Sequence, residues 1–176
     1  MPDNDVYLGN PNLKKANTQI EFTEDNIREF LRCKEDPVYF ANNYMKIVSL
    51  DEGLVQFKPY DFQEKLIKNF HLNRFNICKM PRQTGKSTTS VAYLLHYCVF
   101  NDSVNIGILA NKAATARDLL GRLQTAYENL PKWMQQGIIA WNKGSLELEN
   151  GSKILAASTS ASAVRGMSFN ILFLDE

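Results

Sequence analysis

The sequence predicts an α/β fold: a parallel sheet with flanking helices, a small helical N-terminal lobe and an inserted β-hairpin. Three observations predict it. A short apolar run, Phe75-Asn76-Ile77-Cys78, enters a loop ending Gly85-Lys86-Ser87-Thr88, and a long amphipathic run from Val91 to Phe100 leaves it, which reads as strand, loop, helix. A second strand and helix follow at 104–110 and 113–130, with Ala116, Leu119, Leu120, Leu123 and Tyr127 on one helix face. The apolar run 171–174 then ends in Asp175-Glu176, as a buried parallel strand would. Such alternation requires right-handed crossovers.

Composition sets the outer limits. With 176 residues, 44% hydrophobic and 22% charged, the chain is long enough for one domain with a core and a small lobe, and its make-up excludes a disordered or collagen-like polymer. The net charge of +1 supplies no global field for nucleic acid, so any DNA contact has to be local or made by a partner. Cys33, Cys78 and Cys98 are too scattered for a disulfide framework and read as buried thiols. No apolar run reaches membrane-spanning length and the first residues lack the pattern of a signal peptide, so a cytoplasmic location is expected, with no membrane partner.

From the N-terminus, residues 1–20 read as an extended arm and 21–57 as the helical lobe. Thr23 with Asn26 has the pattern of a capped helix start, Pro37 opens a second helix, and the runs 47–50 and 54–57 pair as a hairpin. Phe22, Phe30, Tyr39, Phe40 and Tyr44 read as core. The segment 58–66 starts another helix at Tyr60 or Asp61, with Phe62, Leu66, Ile67 and Phe70 along one side. Gln63, near its start, carries an amide that can donate and accept at once, as an adenine edge requires. His96 reads as a packing or solvent-facing residue. Asn150-Gly151 between alternating segments predicts a tight hairpin, and Glu147 and Glu149 on one strand face read as solvated.

The chemistry concentrates at 79–88. Backbone N–H groups of a loop entering a helix cradle anions, a lysine adds a mobile positive charge, and a hydroxyl can ligate Mg²⁺. The phosphate-loop pattern GxxxxGK[ST] is met here except at its first glycine, where Met80 stands. Asp175 and Glu176 supply the complement: one carboxylate for the metal shell and one to orient or deprotonate an attacking water. Phosphate loop and acidic strand together read as a nucleotide hydrolase.

Five segments in order then resemble the large terminase of tailed bacteriophages, nearest to its myovirus branch: 80–87, 107–112, 141–145, 163–166 and 173–176. The resemblance implies a RecA-like P-loop ATPase domain over 58–176, incomplete because the strand that follows and the nuclease domain are absent. It implies a motor that hydrolyses ATP with Mg²⁺ to drive double-stranded DNA into the procapsid, working as a homo-oligomeric ring with portal protein and small terminase subunit in the host cytoplasm. Carried over by position, Phe62 and Gln63 bind adenine. Arg82, Gln83, Thr84, Gly85, Lys86, Ser87 and Thr88 hold the phosphates, Lys86 on the β and γ groups. Ser87 and Asp175 serve the metal, and Glu176 the water. Arg82 in cis or Arg165 in trans stabilises transition-state charge. The other readings are a superfamily 2 helicase-like ATPase, a non-catalytic nucleotide-binding or assembly module, and a kinase. The helicase is disfavoured by the missing second lobe, the kinase by the acidic pair.

Overall fold

The computed structural model describes residues 5–160 and 166–175. The segment expected as an extended arm carries a two-stranded ribbon, β1 (Val6–Tyr7) and β2 (Asn10–Lys14). Leu13 of β2 is buried in the core. Helix α1 (Glu24–Glu35) starts as its sequence dictates: Thr23 Oγ1 accepts from the Asn26 N–H at 3.1 Å and Asn26 Oδ1 accepts from the Thr23 N–H at 3.2 Å. Asp36 ends that helix and caps α2 (Pro37–Tyr44), its carboxylate accepting from the Val38 and Tyr39 N–H groups. The Tyr44 and Tyr39 hydroxyls both donate to Glu29, which ties the two helices and holds the Glu29 carboxyl below the usual carboxylate range. A hairpin, β3 (Lys46–Ser49) and β4 (Gly53–Gln56), and helix α3 (Asp61–Leu72) complete the N-terminal part.

The remainder alternates as expected through α4 (Lys86–Phe100), β5 (Asn105–Ala110) and α5 (Ala113–Glu128), then β6 (Ile138–Trp141), β7 (Ser145–Leu148), β8 (Lys153–Ser158) and β9 (Ile171–Leu174). The sheet order is β6-β7-β8-β5-β9. It is mixed rather than parallel: β8, β5 and β9 run parallel, while β6–β7 and β7–β8 are antiparallel. Connection length decides this, because strands joined by tight turns must reverse whereas a helical crossover restores direction. The Asn150-Gly151 turn is one such reversal, and β6 was not anticipated.

The expected strand at 75–78 is a second departure. No ladder reaches it among the described residues, Phe75 is exposed, and Ile77 is fully so. A strand needs a neighbour for its N–H and C=O groups, and β9, at the end of the described sheet, pairs only with β5. Cys78 is accordingly exposed, unlike Cys33 and Cys98. Phe22 also stands half-exposed instead of in the core.

At the opposite edge the N-terminal segment closes the sheet. Lys15 bridges Ile138 in parallel, and the Ala16 N–H donates to the Ile138 carbonyl at 3.3 Å. Gln135 accepts from the Lys14 N–H and donates to the Asn12 and Leu130 carbonyls. Glu149 is exposed, as expected, and also accepts from the N–H groups of Asn17 and Gly137. Glu147 pairs with Lys153 at 2.9 Å across the hairpin.

Helix α4 packs between α2 and α3 on one side and α5 on the other, while α5 lies on β5 and β8. His96 of α4 is buried among Phe40, Tyr93 and Phe100, with His71 at 6.2 Å. Its Nε2 lies 2.8 Å from the Cys33 carbonyl, so Nε2 carries the proton and donates, and Nδ1 has no partner. Burial pushes its pKa from 6.5 down to about 4. The unfolded chain therefore takes up a proton below pH 6.5 that the folded chain refuses until pH 4. Stability should fall by up to about 3 kcal/mol as pH drops through that window, read as the urea midpoint at each pH. The His96→Gln variant should lose that part of the slope; an unchanged slope would contradict the assignment.

Candidate functional site

Helix α4 fixes where the loop sits. At its C-terminal end, Asn150 Nδ2 donates to the Cys98 and Asn101 carbonyls, and the Lys153 N–H donates to the Val104 carbonyl. That end therefore lies at the start of β5 and β8. At the carboxyl end of β5 the Asp175 N–H donates to the Leu109 carbonyl and the Thr159 N–H to the Ala110 carbonyl, both at 2.8–2.9 Å. Asp175 thus stands at the carboxyl edge of the parallel strands, where ligands bind in open α/β sheets.

The loop itself has the shape of an anion cradle. Gly85 is the residue before α4, left-handed at φ 75°, and Gln83 is left-handed at φ 62°. No side chain caps the helix start. The Gly85 carbonyl accepts from both the N–H and the hydroxyl of Thr89 at 2.9 Å, so the first turn is closed behind the loop. Thr84 Oγ1 donates to the Pro81 carbonyl, bracing the bend. Arg82 and Gln83 are exposed; Thr84, Gly85, Lys86, Ser87 and Thr88 are half-buried.

On the other flank stands the start of α3. Tyr60 and Phe62 present exposed rings that stack at 10° with centroids 5.8 Å apart. Gln63 is 4% exposed and reaches the loop: Oε1 accepts from the Tyr60 N–H at 2.9 Å and Nε2 donates to the Thr84 carbonyl at 3.3 Å. The structure therefore joins Gln63 of α3 to the loop at Thr84 and Gly85, and places Asp175 at the end of β9. Arg165 and Glu176 lie outside the described residues. The Gln63 link to Thr84 and the Tyr60 ring were not anticipated; a glutamine at the third position of a helix preceding the loop was the available signal.

Among the described residues no group of three or more His, Cys, Asp or Glu gathers as a metal cluster. Hydroxyl and carboxylate oxygens of Ser87 and Asp175 are hard donors suited to Mg²⁺, which typically takes one or two protein carboxylates and completes its shell with water and phosphate. The donor set fits that ion.

Comparison with known proteins places the chain in a family. Residues 77–176, more than half of the chain, match the family described as terminase large subunit, T4likevirus-type, N-terminal. The chain belongs to that terminase family. The loop from Cys78 onward, α4 and the whole sheet lie inside the matched stretch, whereas α3 with Gln63 precedes it. Among solved structures, the large terminase of bacteriophage HK97 is similar in fold, with a TM-score of 0.66 at 19% identity over 81% of this chain. The chain spans 31% of the length of that terminase. No helix of the described residues is long and apolar enough to cross a membrane.

Gly85 offers a direct test of the loop's shape. A Cβ there would stand 2.5 Å from Gln63 Nε2 on a backbone that L-residues rarely adopt. Gly85→Ala should lower stability by about 1–3 kcal/mol. Gly121→Ala, on α5 with nothing within 4 Å, should raise it by about 0.5–1 kcal/mol. Urea unfolding of both variants checks the opposite signs.

Proposed function

We propose that the chain carries the ATP-binding part of a phage DNA-packaging motor, with Mg·ATP seated between the start of α3 and the start of α4. One observation carries this reading: a left-handed glycine leads into a helix start that no side chain caps, and Gln63 at the start of α3 is bonded to the same loop at Thr84. Triphosphate charge is stabilised there by leading N–H groups and by the helix dipole. Lys86 stands at the first helical position and supplies the cation for the β and γ groups. Arg82, exposed on the loop, has a guanidinium free to bend toward transferring phosphate. Phe62 and Gln63 form the base side of the site, with the Tyr60 ring stacked on Phe62 as added flat surface.

Magnesium, held through Ser87 and Asp175, would neutralise charge on the phosphates during their transfer. Glu176 follows Asp175 directly and supplies the base that orients water. Arg165 is the second candidate for the charge-stabilising arginine, acting on a neighbouring subunit. Hydrolysis then drives double-stranded DNA into a procapsid, with portal protein, small terminase subunit and further copies of the chain as partners at the portal in the host cytoplasm. Family membership supports this packaging role.

Calorimetric titration tests the site. The chain should bind Mg·ATP, and Lys86→Ala should weaken that binding by roughly a hundredfold, the scale of a charge-assisted contact of about 3 kcal/mol. In Asp175→Asn, affinity should lose its dependence on magnesium. Equal affinity of Lys86→Ala and the unaltered chain would overturn the assignment.

A further inference from the structure

Asp175 can serve a metal only if β9 delivers it to one place, and β9 does little to choose that place by itself. Ile171, Leu172, Phe173 and Leu174 are all apolar, so the strand lacks the alternation that ordinarily fixes pairing. Among the described residues it pairs only with β5. A slip of one residue would exchange apolar for apolar on both faces. It would also carry Asp175 about 3.3 Å along the strand and turn it from the face of Ile171 and Phe173 to that of Leu172 and Leu174. The first face packs against the core and the second is exposed. Two features at the start of β9 fix the pairing instead. Asn170, the residue before the strand, grips Asn105 twice: its Oδ1 accepts from the Asn105 N–H and its own N–H donates to the Asn105 carbonyl, each at 2.8 Å. Gly107, the one glycine of β5, leaves the space that Leu172 and the Phe169 ring fill; a Cβ there would stand 2.8 Å from Leu172 Cδ1 and 3.1 Å from the ring. The next side chains on that face of β5 are Asn105 and Leu109, so the notch admits Leu172 at one register. The bond from the Asp175 N–H to the Leu109 carbonyl is the far end of the same ladder.

We propose that Asn170 and Gly107 are positioning residues for Asp175, setting the register of β9 so that the carboxylate arrives on the core side of the strand end. The inference rests on the nucleotide-site reading above and deepens its magnesium half. Asn170 stands five residues before Asp175, about 16 Å along an extended strand, so it acts only through the strand. Its side chain is exposed, and replacing it leaves the core intact. Magnesium demands near-ideal octahedral geometry, which makes metal dependence a sensitive reporter of a displaced carboxylate.

Two readings on one set of proteins test this. Hydrogen exchange of the Asp175 amide, which this register bonds to Leu109, reports the pairing in the ligand-free chain. Calorimetric titration of ATP at stepped magnesium concentrations, and with the metal chelated, reports the site. Asn170→Ala removes the side-chain acceptor, Asn170→Asp keeps it, and Gly107→Ala fills the notch. In Asn170→Ala and Gly107→Ala the Asp175 amide should exchange roughly tenfold faster, while the amides of Leu119 to Leu123 in α5 keep their protection. The magnesium concentration giving half-maximal ATP affinity should also rise roughly tenfold in both, with metal-free affinity unchanged. Asn170→Asp should follow the unaltered chain in each reading. An unmoved magnesium midpoint would overturn the inference and leave both residues merely structural. Unchanged exchange at Asp175 would overturn it by removing register as the cause. If the unaltered chain shows no magnesium-dependent ATP binding while Asp175 exchange responds as expected, the nucleotide-site reading is what fails, and this inference falls with it.

Discussion

The rest of the molecule depends on how α4 is held. Eleven of its fifteen residues are buried, so the helix cannot slide or turn without opening the core on every side. Its C-terminal end is pinned to the hairpin turn by Asn150 and Ser152, both of which donate to the Asn101 carbonyl. Its N-terminal end is reached by Gln63 through Thr84. A rod buried over most of its length and tied at both ends holds its first turn, and the loop before it, in a fixed place against the core.

Much of this was legible in the sequence because the signals were local. The cap at Thr23, Pro37 at the start of α2, the Asn-Gly turn and the period of α5 each write their outcome within a few residues, and all formed where expected. The loop and the acidic strand were legible for a related reason, since a glycine, a lysine, a hydroxyl and a terminal acid are chemically distinctive. The place of Asp175 at the carboxyl edge followed from the rule that parallel strands present their carboxyl ends together.

What escaped was set by distant partners. Strand character at 75–78 was read correctly as apolar, yet an apolar run becomes a strand only where a neighbour accepts its hydrogen bonds, and none does here among the described residues. Glu149 is exposed as its pattern said, but its bonds to the backbones of Asn17 and Gly137, the first of them 132 residues away, were not legible. The N-terminal ribbon closes the β6 edge through Gln135, which no pattern around either segment announces. Gln63 belongs with these, since its helical position was readable and its engagement with Thr84 was not.

The central claim is that ligand meets the chain at the start of α4. Backbone amide NMR spectra recorded during titration with Mg·ATP test it most directly. The account predicts that the largest shifts fall on residues 83–89, with a second set at Tyr60 to Gln63 and at Asp175. Shifts centred instead on the N-terminal ribbon or on α1, with residues 83–89 unmoved, would contradict it.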